Sequence, residues 1–169
     1  MIGVRVVARW SLVLGVAFVL QIGLVTQIHI FGVVPDIMLV LAVCSGLTGG
    51  PQRGAIVGFW AGLLFDLPRP VPLGLSALAY CLIAFLAGVV QVVVLQSGRL
   101  MSMVIVAVAC ALGSLLFAVG GELFGAGTLG APRLWPIVGV SALVGAATSR
   151  IGLRVAGWAD GPETRSVAE

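Results

Sequence analysis

The sequence predicts an all-α, polytopic membrane bundle of six transmembrane helices, two of them short. Three observations carry this. Hydrophobic residues make up 60% of the chain and charged residues only 9%, with a mean hydropathy of +1.22; average soluble domains carry roughly a quarter charged residues. The apolar residues fall into six runs separated by brief loops, which leaves no soluble domain on either side and confines any chemistry to the bundle. The basic residues, nine Arg and no Lys, sort to one side when alternate loops are assigned to opposite faces. A length of 169 residues fits one domain.

The spans are expected at 10–31, 35–49, 53–67, 72–96, 100–124 and 134–158. Residues 1–158 then form the bundle, and 159–169 (ADGPETRSVAE) form a short polar tail too small to fold. Arg5 and Arg9 precede the first run as in a signal peptide, but the run is long and lacks a small-residue cleavage site, so it reads as a retained span. With both termini in the cytoplasm, Arg5, Arg9, Arg53, Arg99, Arg150, Arg154 and Arg165 fall inside, and Arg69 and Arg133 outside. Such a bias in short loops is a strong positive-inside signal of orientation. Trp10 marks the inner end of the first span, and Trp135 and Trp158 bracket the sixth as interfacial belts.

The second and third spans are the short ones. From Arg53 to Asp66 the helix rises about 20 Å, against a hydrocarbon core of roughly 30 Å. A short hairpin is therefore expected to hold Asp36 and Asp66 in an outer depression walled by the longer spans. Pro35 and Asp36 open the second span, where the helix dipole favours an acid; a simple capping acid is the plain alternative. Asp66 ends the third span, where the dipole opposes it. It needs compensation, with Arg69 the nearest candidate, or it is a solvated loop residue. Glu122, His29 and Arg133 belong to the same outer side, and the inner face has no acid before the tail.

Gly54, Gly58 and Gly62 recur every four residues and share one helix face with Asp66. Ser141, Gly145 and Ser149 repeat the spacing in the sixth span, and Gly121 and Gly125 in the fifth. Small residues so placed serve close helix packing within the chain, or a groove for another protein's transmembrane helix. Cys44, Cys81 and Cys110 lie within apolar runs and read as small hydrophobes.

Several chemistries lack their residues. No Cys/His spacing suggests zinc, and no Walker loop or dinucleotide fingerprint occurs. No metal or cofactor is expected. Paired aspartates raise an aspartic protease, but the chain has no Asn to match lipoprotein signal peptidase motifs, and Asp66 lacks a Gly-x-Gly-Asp context. The Ser76 and Ser141 contexts, GLSAL and GVSAL, are not G-x-S-x-G. Basic residues here concern topology, not nucleic acid.

The stretches PDIMLVLAV (35–43), GAIVGFWAGLLFDL (54–67) and PLGLSALAYCLIAFLAG (72–88) together resemble the MreD family of bacterial rod shape-determining proteins. The shared pattern is a Pro-led short span, a glycine-rich span ending in G-L-L-x-D, then L-G and a small/aromatic helix. On the matching positions Pro35, Gly62, Asp66 and Gly74 are motif residues. The resemblance implies a non-enzymatic scaffold of the cell-elongation machinery for peptidoglycan synthesis, without catalytic residues. It implies work with the bitopic protein MreC, the actin-like MreB, the glycan polymerase RodA and its transpeptidase partner. It also implies a fold similar to the substrate-binding subunits of energy-coupling-factor transporters. Asp36, Asp66 and Arg69 are then the candidate contact with MreC, with Gly58 and Gly62 as structural motif positions. Two other readings stand beside it. One is a solute-binding subunit of an energy-coupled vitamin importer. The other is a lipid binder, in which Arg150 and Arg154 meet anionic headgroups or simply snorkel.

Overall fold

A computed structural model of the chain describes residues 4–27, 36–68, 74–91, 99–123 and 134–161. These form six helices and no strand: α1 (Val4–Gln27), α2 (Ile37–Gly49), α3 (Pro51–Asp66), α4 (Leu75–Val89), α5 (Arg99–Leu123) and α6 (Leu134–Asp160). Three stretches within α1, α5 and α6 are long and apolar enough to cross a membrane, namely Arg5–Gly23, Leu100–Glu122 and Trp135–Asp160. The chain is a helical membrane protein.

The helices alternate in direction. Contacts to Asp160 bring the start of α1, the end of α2, the start of α3 and the end of α6 together. The backbone of Gly88 lies on Pro51, so α4 also ends here. This is the arginine end. Leu75 meets Gly120 at the opposite, aspartate end.

α2 is the centre of the bundle. Every residue from Met38 to Leu47 is buried, and α1, α3, α4, α5 and α6 all pack against it. A helix apolar on all sides is at home in such a place. The outward faces carry Leu12, Val19, Phe59, Trp60, Leu78, Val104, Leu143 and Ile151, all exposed. That apolar belt is the surface lipid would cover.

A single residue, Gly50, joins α2 to α3. Its φ of +84° lies in the left-handed region where a Cβ is penalised. Its N–H donates to the Gly46 carbonyl at 2.9 Å, and Pro51 follows at the first helical turn, where its missing N–H costs nothing.

In lipid, apolar burial gives little drive for helix association, so close packing carries more of it. The α3 glycines provide this against α4. A Cβ on Gly54, Gly58 or Gly62 would strike the backbone carbonyl of Ala84, Tyr80 or Ser76 respectively, at 2.6 Å in the case of Gly58. The partners step by four in the reverse direction, as an antiparallel pair requires. In α6, Gly145 packs on Cys110, with Ser141 and Ser149 also buried. The glycine and small-residue stripes are thus occupied within the chain. Gly121 is buried, and Gly125 lies outside the described residues.

The expected boundaries need three corrections. α4 is described as a 15-residue helix from Leu75 to Val89 rather than a long span over 72–96, so three helices are short rather than two; residues 92–98 lie outside the described set. α1 begins by Val4, which places Arg5 and Arg9 inside the helix rather than before it. α6 continues through Asp160, so Ala159 and Asp160 belong to the bundle instead of the tail.

Candidate functional site

At the aspartate end, Asp36 is the N-cap of α2. Its Oδ1 accepts the Leu39 N–H at 3.0 Å, which satisfies one of the donors a helix start leaves open. Gln21 of α1 adds a second cap, its Oε1 accepting the Ile37 N–H at 3.0 Å. The other carboxylate oxygen of Asp36 accepts from the hydroxyl of Tyr80 on α4. This is the chain's one tyrosine, and a buried phenol needs such a partner.

Asp66 does a parallel job for a different helix. It closes α3, yet its Oδ2 accepts the N–H groups of Gly74 at 2.9 Å and Ser76 at 3.1 Å. These are the N-cap and second residues of α4. Gly74 has φ +102° and no side chain to cap with, so the cap arrives from eight residues upstream. The positive end of the α4 dipole offsets the unfavourable dipole that Asp66 meets at the end of α3. The carboxylate is wholly buried, at 0% exposure, so Asp66 does not line an open depression. Its Oδ1 and the Ser76 hydroxyl are buried without hydrogen-bond partners among the described residues.

Ser76 and Tyr80 are one turn apart on α4, about 6 Å along the axis. The two aspartates are therefore held by adjacent turns of one helix, each as an acceptor at a separate helix start. They do not form the shared-proton pair of an aspartic protease. Gly58 and Gly62 seat α3 on this same part of α4. Pro35, Arg69, His29 and Arg133 lie outside the described residues. Glu122 is exposed near the end of α5.

The arginine end holds a second polar tie that the sequence reading placed in the tail. Asp160 is 1% exposed. Its Oδ1 accepts from the Trp10 indole at 2.9 Å and pairs with the Arg53 guanidinium at 3.1 Å; its Oδ2 accepts from the Thr48 hydroxyl at 2.6 Å. One carboxylate thus joins α1, α2, α3 and α6. Arg9 completes the tie. It lies over the Trp158 ring at 5.3 Å and donates to the Trp158 carbonyl at 3.2 Å, near the negative end of α6. The missed signal was compositional: Ala156 and Ala159 continue the buried face of α6 up to an acid at an otherwise basic end.

Among the described residues, no group of three or more His, Cys, Asp or Glu is placed to hold a metal ion. Cys44 and Cys110 are buried thiols that fill space beside Gly152 and Gly145. What the two ends do chemically is fasten helices to each other.

Comparison with known proteins adds one positive finding. The family model described as MreD, rod shape-determining protein MreD, matches residues 4–125, a stretch that runs from α1 to just past the end of α5. No curated protein and no solved structure matches the chain significantly. Family members are shape-determining membrane proteins rather than a known class of enzyme. With well over half its length matched, the chain belongs to the MreD family of rod shape-determining proteins.

Proposed function

We propose that this protein is a non-enzymatic scaffold of the cell-elongation machinery that binds the bitopic protein MreC and helps to couple MreB to RodA and its transpeptidase partner. Membership of the family gives it a role in rod shape determination. The observation that carries the finer reading is the use of the polar side chains. Asp36, Asp66 and Asp160 are each engaged in joining helices, while the exterior of α1, α3, α5 and α6 is an apolar surface suited to another membrane helix.

In this reading the protein sits in the inner membrane with both termini in the cytoplasm. The positive-inside rule supports that orientation, since Arg5, Arg9, Arg53, Arg150 and Arg154 share one end. Asp36, Asp66 and Gly74 shape the outer rim, and Pro35 and Arg69 belong to the same rim by sequence. Leu67, which is 59% exposed beside buried Asp66, is the proposed point of contact with MreC. A photocrosslinking residue at Leu67 should capture MreC in living cells. Normal assembly of the complex with no crosslink from this position would overturn the assignment.

A further inference from the structure

Arg150 and Arg154 lie one turn apart on α6, share a face and are both exposed. With Ser149 they look across at Ser102, in the first turn of α5, and the four residues form the polar walls of a cleft of about 310 Å³. Among the described residues, neither arginine makes a hydrogen bond or ion pair. Among the described residues the acid at this end is Asp160, which spends both oxygens on Trp10, Thr48 and Arg53. Two guanidinium groups without an acidic partner among the described residues therefore face the start of α5, where the helix dipole adds further positive potential. Guanidinium forks match phosphate oxygens in geometry and charge. Leu100 and Ile151, next to these residues, are exposed and apolar, which suits a ligand carrying hydrocarbon beside its phosphate.

We propose that this cleft binds the phosphate of an anionic phospholipid. The site is separate from the capping aspartates and needs no protein partner. The test uses the full chain in detergent, titrated with phosphatidylglycerol or phosphatidylcholine and read by native mass spectrometry. The wild type should retain phosphatidylglycerol in preference to phosphatidylcholine. The double variant Arg150→Gln/Arg154→Gln should retain it roughly 10- to 30-fold less, at about fivefold for each arginine near an anionic lipid. Both side chains are exposed, so its unfolding temperature should match the wild type; Arg150→Lys/Arg154→Lys should recover part of the binding. Arg5→Gln, which removes an exposed charge at the same end on α1, should change little. Equal retention of phosphatidylcholine would overturn the proposal, as would an equal loss in Arg5→Gln. Displacement of the lipid by millimolar inorganic phosphate would reassign the cleft to a soluble anion.

Discussion

Asp66 and Ser76 are joined across the α3–α4 junction by a 3.1 Å hydrogen bond from the Ser76 N–H to Oδ2 of a carboxylate with no exposure. The acid at the end of one helix is the cap of the next. It ties the end of α3 to the start of α4.

Removing that cap has a calculable cost. Asp66→Ala leaves the N–H groups of Gly74 and Ser76 without their acceptor, at about 1–3 kcal/mol. Asp66→Asn keeps an acceptor oxygen and should recover part of the loss. Thermal unfolding in detergent checks this: Ala lower than Asn, and Asn lower than wild type. Equal stability of all three would remove Asp66 from this role.

The α3 glycines make a positional prediction. A Cβ on Gly58 would lie 2.6 Å from the Tyr80 carbonyl oxygen, whereas one on Gly139 meets nothing within 4 Å. Gly58→Ala should therefore destabilise by about 1–3 kcal/mol through forced separation of the helices. Gly139→Ala should be neutral or slightly stabilising, because helix propensity favours alanine. Measuring both variants in the same detergent separates packing from propensity.

Asp160 predicts a loss centred on α1. Asp160→Ala strands the Arg53 guanidinium, which is 20% exposed, and removes the acceptors of Trp10 and Thr48. The cost should approach the roughly 3–5 kcal/mol of a broken buried pair, reduced by the exposure of Arg53. Trp10 is the reporter, since its indole loses a hydrogen bond and its fluorescence should shift. A double-mutant cycle with Trp10→Phe should show coupling between the two positions; strict additivity would contradict the tie.

Gly50 supplies a conformational test. Its φ of +84° should make Gly50→Ala cost about 1–2 kcal/mol. The nearest atom to an added Cβ is Gln91 Oε1 at 3.4 Å, so steric contact adds little. A stability change near zero would mean that the hairpin can relax around this residue.

Much of the fold was legible because its signals are local. Apolar runs, the glycine spacing and the arginine bias read directly into helices, close helix packing and a basic end, though not into α4 as the helix on which the glycines pack. The capping role of Asp36 was also legible, since a Pro-Asp before an apolar run is a helix start. The partner of Asp66 was not: it is the start of α4, eight residues on, and local sequence does not announce that the chain returns there. Arg69, the cation expected beside Asp66, lies outside the described residues, and the backbone N–H groups of Gly74 and Ser76 hold one carboxylate oxygen. Asp160 was lost for a related reason. A helix end followed by Gly-Pro looks like the start of a tail, and nothing in local sequence places Trp10, Thr48 and Arg53 around it. Tyr80 and Gln21 were legible only as polar groups in apolar spans needing partners somewhere.

The most direct measurement on the scaffold reading is purification of the chain from its membrane with its bound partners intact. A bitopic protein with a large extracytoplasmic part, MreC, should come through in stoichiometric amounts. Recovery of the chain without it, carrying instead a stoichiometric small solute, would contradict the scaffold and favour a substrate-binding subunit.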